Sequence, residues 1–578
     1  MPLADIIVLL IISYAIGGSR DSLPVFLLGM LLLNSATDIH IPPSLRDELD
    51  RSTTCDRACQ RRVVGGVLYE RENHAHEPLD AFYAVPVHGT FDSARPGTVL
   101  KVEAHTEVAK YTIPSGLTMS RIMYASRSLN GTIVPVSAFV LWPYVPFDYD
   151  DLNRPDDAAS SAGMGFPIVA WAHGSSGLFA PCAPSNYRSL QYNFMMVYAL
   201  ALEGFAVIAT DYAGLGVTLP DGQDHAWLAG PAGADDVAYA IEAARTAFPD
   251  VLQRDGPFVT MGHSQGGHVS WAFAERMVER PVPGYRGSIA ISPPTDVIEW
   301  VRRAQRAVDK HLHDSSLTQF QLPPWVQGGL NIQPRVIAGI TAVYPEYNYS
   351  GMSEISYDRW HHILKPLQGC MATDSLAFSF SEPKTKKHWT RNRVVKKWAK
   401  AVSVGGKRIE GPLLVIAGEE DVVPVGMLRD AVQTTCKVSE NRNQSLELVT
   451  YEGMGHFPVI QASRALWMRW VKERVTDRAD AGEDMAAPGM NGSQSHYVGE
   501  SSMQGLWMQW ANGWIRPGFD GHAQDMRDSR GKEGGEGRSH CGSEKVMHGF
   551  NANYTVHSTP PNWLVGLAPV GEEWKYLL

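Results

Sequence analysis

Three side chains that could act together in nucleophilic catalysis follow three separate apolar runs of the chain. Ser264 lies in GHSQGG, after the run PFVTM and before a helical pattern. Asp421 follows PLLVIAG, and His456 lies in the GMGHFP loop after LELVTY. A serine hydroxyl becomes a nucleophile when a histidine takes its proton and an acid orients that histidine. Because each residue comes at a strand end, in the order serine, acid, histidine, the pattern predicts that they meet at one edge of a sheet.

Neighbouring polar residues are weaker candidates for these roles. Asp421 is preferred over Glu420 because it directly precedes the Val-Val-Pro that opens the next element. His263 and His268 flank the serine in sequence, but side chains beside such a turn point away from it, so we expect them to be structural or to line a pocket. Asp211, in ATDYAGLG, is expected to hold a turn.

Attack on a carbonyl creates an oxyanion, which needs hydrogen-bond donors. One expected donor is the backbone N–H of Gln265, the residue after the serine. The second is expected from AWAHGSSG, where Gly174 or Ser175 would present its amide. The alternative for that segment is a simple glycine-rich turn.

The elements that must position these residues alternate between strands and helices. FPIVAWAHG, FAVIATDYAG, PFVTMGHS, GSIAISPP and PLLVIAGEED are apolar runs typical of strands buried on both faces. Helical patterns follow Gly230, Ser264 and Pro424, which predicts a parallel sheet with right-handed crossovers. Earlier, Asn130-Gly131 between two alternating runs predicts a β-hairpin. The fold class is therefore α/β, with a mostly parallel central sheet.

Five segments are predicted along the chain. Residues 1–36 form a hydrophobic leader, 37–292 and 409–478 form the two parts of the core, and 479–578 form a low-complexity, partly disordered tail. Residues 293–408 are too many for one crossover, and we interpret them as a mainly helical cap, with a separate small domain as the alternative. The basic run from Lys384 to Lys400 within them is expected to be a solvated helical face.

Composition narrows the class of protein. The chain has 578 residues, 44% of them hydrophobic, and a net charge of −10, so we expect a globular protein that does not bind nucleic acid. Its 6 cysteines and 20 histidines show no metal-ligand spacing, and we expect no metal or other cofactor.

The compartment is predicted from the N-terminus and the sequons. The two apolar runs before residue 36 favour a secretory signal peptide, with an uncleaved anchor or a buried segment as alternatives. N-x-S/T sequons, which mark glycosylation sites in secreted proteins, occur at Asn130, Asn348 and Asn443, and also at Asn491 and Asn553.

From about residue 96 to 475 the chain resembles the secretory lipase family of α/β-hydrolases, which includes fungal lipase A-type enzymes. The likeness lies in PGTVL, YASRSLNGTIVPVSAFVLWP, WAHGSSGLFAPCAPS, EGFAVIATDYAGLG, GHSQGGH, GEEDVVP and GMGHFP, in that order. The resemblance implies the α/β-hydrolase fold with an inserted cap and a triad of Ser264, Asp421 and His456. It also implies a disulfide between Cys182 and Cys370.

The resemblance further implies a serine hydrolase of carboxylic esters, of the lipase or esterase type, and we expect the protein to be secreted and monomeric. Its expected substrates are lipids or other apolar acyl esters, with a lipid–water interface as a further partner. Two enzymatic alternatives remain, a tailoring esterase that deacylates a small secondary metabolite and an acyltransferase on the same fold. A non-catalytic binding protein is the alternative from another class.

Overall fold

A mixed β-sheet forms the centre of the molecule. The computed structural model describes residues 43–86, 91, 93–147, 165–191, 196–311, 322–378, 382–439, 445–476 and 541–547. Within these residues, ten strands form one sheet. The strands are β1 (Val99–Glu103), β2 (Thr118–Arg127), β3 (Ile133–Trp142), β4 (Ile168–Ala172), β5 (Ala206–Thr210), β6 (Phe258–His263), β7 (Tyr285–Ile291), β8 (Leu413–Gly418), β9 (Leu446–Tyr451) and β10 (Cys541–Met547).

The sheet order is β1-β2-β3-β5-β4-β6-β7-β8-β9-β10. β1, β2, β3 and β5 pair antiparallel, and all pairs from β5 to β10 are parallel. The predicted hairpin at Asn130-Gly131 joins β2 and β3 in register from Thr118 opposite Trp142 to Arg127 opposite Ile133. The carboxyl ends of β4, β6, β7, β8 and β9 therefore share one edge, which is where the candidate site residues follow their strands.

Helices cover the sheet and build the cap. They are α1 (Pro43–Leu49), α2 (Arg57–Asn73), α3 (Val197–Leu202), α4 (Gly230–Ala247), α5 (Gln265–Arg276), α6 (Val297–His311), α7 (Pro324–Asn331), α8 (Gln333–Val343), α9 (Glu354–Arg359), α10 (Lys365–Leu367), α11 (Met371–Ala377), α12 (Arg393–Val402), α13 (Val425–Ser439), α14 (Pro458–Ala462) and α15 (Arg464–Val475). A π-helical turn, Trp360–Leu364, joins α9 to α10.

Both faces of the sheet are buried, as the continuous apolar runs predict. Along β4, Ile168 and Ala170 pack in the core that includes α4 and α5. Val169 and Trp171, which point to the opposite face, pack in the core that includes α3 and α15. This alternation follows from the two-residue period of a strand, and both cores hold the same strand ends in place.

The segment between β7 and β8 is mainly helical in its described part, with α6 to α12. In α12, Val395, Trp398 and Val402 are buried, and the cations of the basic run lie largely on the outside. The exposed ones are Lys386, Lys387, Arg391, Arg393, Lys396, Lys397 and Lys400. The prediction of a solvated helical face is thus confirmed for α12, whereas Lys384 is buried and its pKa is lowered to about 8 by burial.

The N-terminal helices pack on the cap. Glu70 of α2 is buried, and its carboxylate accepts hydrogen bonds from Cys370 N (2.8 Å), Thr373 N (2.8 Å) and Thr373 Oγ1 (2.7 Å). Asp358 of α9 accepts a hydrogen bond from Thr54 Oγ1 (2.7 Å). These contacts fix the start of the described chain to the part of the cap that carries Cys370.

The described part of the tail forms an edge strand. β10 runs parallel to β9, and Cys541 forms a disulfide with Cys436 of α13. A second disulfide joins Cys55 to Cys59 at the start of α2. The predicted leader, residues 1–36, and the rest of the predicted tail lie outside the described residues. Among the helices that the structure describes, none has the length and apolar character needed to cross a bilayer.

Candidate active site

Ser264 lies in a sharp turn between β6 and α5. Its backbone has φ 58° and ψ −120°, a conformation that costs about 1–3 kcal/mol for a residue with a side chain. The turn closes only around glycines, because a β-carbon at Gly262 would overlap the carbonyl of Gly266, and one at Gly266 would overlap the carbonyl of Ala172. The Ser264 N–H donates to Ile291 O at 2.8 Å. The sequence thus folds locally into the strand, turn and helix of a nucleophile elbow.

Asp421 and His456 are joined by a hydrogen bond. His456 Nδ1 lies 2.7 Å from Asp421 Oδ1, and the Asp421 side chain is 1% exposed against 12% for His456. Asp421 Oδ1 also accepts from Val423 N (2.8 Å), and its Oδ2 accepts from Ser292 Oγ (2.5 Å). Glu420 is exposed and does not share these contacts. Because the ionised carboxylate can only accept, His456 Nδ1 carries the proton and Nε2 is the basic nitrogen.

Two contacts connect this pair to the elbow. His263, the last residue of β6, donates through Nε2 to His456 O at 2.9 Å, and the centroids of the two imidazole rings are 4.4 Å apart. On the other side, Ser292 directly follows Ile291, whose carbonyl accepts from Ser264 N. No hydrogen bond joins Ser264 to His456 among the described residues. The three predicted side chains therefore lie at the ends of neighbouring strands, with the acid and the histidine already paired.

The flanking histidines are buried and serve as supports. Burial, together with the nearby His456, keeps the pKa of His263 well below its usual value. His268 Nδ1 donates to Pro294 O at 2.9 Å, and burial lowers the pKa of His268 to about 4. Both are thus neutral, and the expectation that they are structural is consistent with these contacts.

Asp211 holds a turn at the end of β5, as expected. It is fully buried and accepts hydrogen bonds from Ser137 Oγ (2.6 Å), Ser185 N (2.9 Å) and Ser185 Oγ (2.5 Å). Burial raises the pKa of Asp211 to about 6. Its two carboxylate oxygens are occupied by these serines, so it is separate from the Asp421–His456 pair.

One candidate oxyanion donor lies within the elbow, and the other lies in the loop after β4. Gln265 is the first residue of α5, so its backbone N–H has no carbonyl partner one turn earlier in the helix. Gly174 and Ser175 lie in the loop after β4, which packs against the elbow through Ala172. The Ser175 carbonyl accepts from Gln191 Nε2 (2.8 Å), which orients this loop.

The cap is attached to this loop. Cys182 and Cys370 form a disulfide, the pair implied by the family resemblance. Gly177 pairs with Cys370 in a β-bridge, and Met371 N donates to Ser176 O at 3.2 Å. The start of α11 is therefore fixed to the loop after β4.

Some residues at the site are not evident from the sequence. Ser292, which supports Asp421, lies in ISPP and carries no motif of its own. His225 contacts the side chain of Gln265, and Trp227 contacts that of Ser175. The only sequence signal for these residues is their position after a strand end or in the long loop before α4. Within the described part of the chain, no three His, Cys, Asp or Glu residues are grouped as metal ligands.

Of the predicted glycosylation sites, Asn130 and Asn348 are exposed. Asn130 lies in the turn between β2 and β3, and Asn348 follows α8. Asn443, Asn491 and Asn553 lie outside the described residues.

Residues 169–467, more than half of the chain, match the sequence model of the Alpha/beta hydrolase family. The chain belongs to the alpha/beta hydrolase family. Among curated proteins, none matches the sequence of this hydrolase.

Among solved structures, the hydrolase is similar to Candida antarctica lipase A in its closed state, with 13% identity and a TM-score of 0.51 over 68% of this chain and 85% of that one. It is also similar to the rice cell wall degrading esterase LipA from Xanthomonas oryzae, with 17% identity and a TM-score of 0.47 over 67% of this chain and 98% of that one. At 13% identity the likeness to Candida antarctica lipase A shows the α/β-hydrolase fold alone, in agreement with the fold class predicted from sequence.

Proposed function

We propose that this α/β-hydrolase is a serine hydrolase of carboxylic esters that acts through an acyl-enzyme on Ser264. The observation that carries the proposal is the 2.7 Å bond from His456 Nδ1 to a buried Asp421, beside a serine held in a strained elbow. Candida antarctica lipase A, whose fold is similar, is a lipase by name, which supports the same class of substrate.

The reaction proceeds in two steps. His456 Nε2 takes the proton of Ser264 Oγ as this oxygen attacks the ester carbonyl, and the backbone amides of Gln265 and Gly174 or Ser175 stabilise the oxyanion. His456 then gives the proton to the leaving alcohol, and the acyl group stays on Ser264. Water, deprotonated by the same histidine, attacks the acyl-enzyme and releases the acid and the free serine.

The test is the replacement of Ser264 by alanine, assayed with p-nitrophenyl esters of graded acyl length and with a triglyceride emulsion. We expect kcat to fall by at least about 10⁴-fold, with unchanged thermal unfolding. A fluorophosphonate probe should label wild type on Ser264 and should not label the variant.

Ser270→Ala is the matched control, because Ser270 lies six residues after Ser264 on α5 and its hydroxyl bonds, among the described residues, only Thr260, at 3.3 Å. It should retain near wild-type kcat. Wild-type activity in Ser264→Ala would overturn the proposal. Transfer of the acyl group to an added alcohol, in preference to water, would favour the acyltransferase alternative.

The protein is further proposed to be secreted and monomeric. Three disulfides support an oxidising compartment, because such bonds persist mainly outside the cytosol. Glycosylation at the exposed Asn130 and Asn348 would agree with secretion. A shift in mass after glycosidase treatment of the secreted protein tests secretion and glycosylation.

A further inference from the structure

We propose that residues 225–227 form a positioning segment that holds the two halves of the oxyanion hole, one through His225 and the other through Trp227. This inference rests on the proposed function, because it concerns the donors that would bind the oxyanion. It adds two residues, from a loop outside the elbow and outside the loop after β4, that act through Gln265 and Ser175.

The first contact is between His225 and Gln265. His225 Nδ1 lies 2.9 Å from Ala213 O, and because a carbonyl only accepts, this nitrogen carries the proton. His225 Nε2 is therefore the acceptor for Gln265 Nε2, 2.8 Å away. Burial lowers the pKa of His225 to about 4, so the ring remains a neutral acceptor near neutral pH. The side chain of the residue that follows the nucleophile is thus held in one orientation.

The second contact is between Trp227 and Ser175. Trp227 Nε1 lies 2.8 Å from Ser175 Oγ, and an indole nitrogen can only donate. The serine hydroxyl is therefore the acceptor, and its position is set by the indole. Since the Ser175 carbonyl is held by Gln191, the residue is fixed at both its side chain and its backbone.

The segment itself is rigidly packed. His225 and Trp227 are 5% and 4% exposed. His225 N donates to Leu178 O (2.9 Å), and its ring stacks on Tyr212 with centroids 5.7 Å apart and an interplanar angle of 12°. Because its backbone and rings are packed in this way, the segment can hold the side chains that it contacts in defined positions.

The cap packs on the other side of this segment. The Arg335 guanidinium of α8 lies over the Trp227 ring, 5.2 Å from its centroid. A β-carbon at Gly339 of α8 would come within 2.7 Å of Trp227 O, so the helix approaches the backbone closely. The segment is therefore enclosed between the cap and the two candidate oxyanion donors.

Preorganised donors stabilise an oxyanion because they need no rearrangement during the reaction. Loss of a donor in a serine hydrolase lowers kcat by about 10²–10³-fold, and loss of its support should cost less, about 10–100-fold. Since the segment contacts the side chains of the two residues that would supply the donor amides, the loss should appear in kcat with KM within about twofold.

The first test is a double-mutant cycle of Trp227→Phe and Ser175→Ala in the full chain, assayed with p-nitrophenyl butyrate. Trp227→Phe retains an aromatic ring and removes the N–H. If Trp227 acts through Ser175, it lowers kcat in wild type and has little further effect in the Ser175→Ala background. Independent, multiplicative losses in kcat would overturn the proposal for this contact.

The matched control is Trp398→Phe, since Trp398 is a fully buried tryptophan of the cap whose Nε1 has no partner among the described residues. It should leave kcat near wild type. An equal kcat for Trp227→Phe and Trp398→Phe would also overturn the proposal.

The second test is a double-mutant cycle of His225→Phe and Gln265→Met. It keeps the proposal testable if a variant of the first cycle fails to fold. Thermal unfolding identifies variants that fail to fold. We expect the same fall in kcat and the same lack of additivity, and retention of wild-type kcat by His225→Phe would contradict the proposal. Failure of the proposed function is distinguishable, because wild type would then neither turn over esters nor be labelled on Ser264.

Discussion

Among individual residues, Asp421 is the one whose contacts best define a role. Its Oδ1 bonds His456 Nδ1, which sets the tautomer of the imidazole. In Asp421→Asn the amide N–H₂ can face this nitrogen, so we expect the proton to move to Nε2 and remove the base. We expect kcat to fall by about 10³–10⁴-fold with little change in KM, measured with a soluble p-nitrophenyl ester.

Ser292→Ala provides a graded comparison. It removes the 2.5 Å bond to Asp421 Oδ2 and leaves the carboxylate bonded to His456 and Val423. We expect about a tenfold loss of kcat, because a positioning bond is lost while the charge remains. A loss in Ser292→Ala equal to that in Asp421→Asn would contradict this division of roles.

The buried His268 of α5 makes the free energy of unfolding depend on pH. Burial lowers its pKa from the usual 6.5 to about 4, so between these values the unfolded chain binds a proton that the folded chain excludes. Its contribution to stability is therefore complete above about pH 6.5 and is lost as the pH falls toward 4. As the pH is lowered through this window, the free energy of unfolding of wild type should fall by about 1.4 kcal/mol per pH unit more than that of His268→Asn. Urea unfolding at several pH values measures it.

Asp236 should change the free energy of unfolding with pH in the opposite direction, and Asp236→Asn is the variant that tests this. Burial raises the pKa of Asp236 to about 7, so the folded chain keeps a proton that the unfolded chain loses above about pH 4. Its contribution is therefore present at low pH and lost as the pH rises toward 7. If both variants changed the slope in the same direction, the assignment of a neutral His268 and a protonated Asp236 would be wrong.

Among the helices, strands and loops, the bond between Cys182 and Cys370 connects the loop after β4 to α11 across 188 residues. Removal of a crosslink frees the unfolded chain, and the gain in entropy increases with the length of the closed loop. We expect Cys182→Ala with Cys370→Ala to lower the free energy of unfolding by about 5 kcal/mol. The variant should also have lower kcat, because the loop that carries Gly174 and Ser175 loses its anchor.

The disulfide between Cys55 and Cys59 is the matched control, because it closes a loop only four residues long. Its removal by Cys55→Ala with Cys59→Ala should cost about 2 kcal/mol and leave kcat unchanged. Urea unfolding and ester turnover measure both variants. Equal destabilisation by the two pairs would contradict the loop-length argument.

The elements that could be predicted from sequence are those whose signal is local. The Asn130-Gly131 hairpin, the buried strands and the helices after Gly230 and Ser264 each have a pattern within one short window. The close approach at Gly266 likewise follows from the GHSQGG pattern. Because strand ends of a parallel sheet meet at one edge, these local patterns were enough to predict that the candidate site residues lie close together.

The contacts that could not be predicted join distant parts of the chain. Ser292 and Asp421 are 129 positions apart, and Trp227 and Ser175 are 52 apart. Buried serine, histidine and tryptophan are common in cores, so their residue types do not indicate which partner they bind. The pairing of β10 with β9 is equally hidden, because Cys541–Met547 lies in a segment of low complexity and is mostly exposed.

Across the chain as a whole, segments from both ends of the described structure complete the hydrolase. Near the N-terminus, the buried Glu70 of α2 bonds the start of α11. Near the C-terminus, β10 extends the sheet beyond β9. Two ion pairs accompany it, between Lys545 and Glu447 (2.6 Å) and between Glu544 and Arg429 (2.7 Å). The chain after α15 therefore contributes a strand to the sheet and a cysteine to the disulfide with Cys436.

Removal of residues 477–578 should expose the β9 edge. In the full chain β10 pairs with β9 from Leu446 to Tyr451, and an unpaired edge strand offers its N–H and C=O groups to another copy. With Cys436→Ser included to exclude intermolecular disulfides, we expect the truncated chain to self-associate in sedimentation velocity experiments. The matched control is the full chain with Cys436→Ser and Cys541→Ser, which keeps the strand and loses only the crosslink. Because the ion pairs and the β-ladder remain, this control should sediment as wild type does, and identical sedimentation of both variants would show that β10 does not protect the edge.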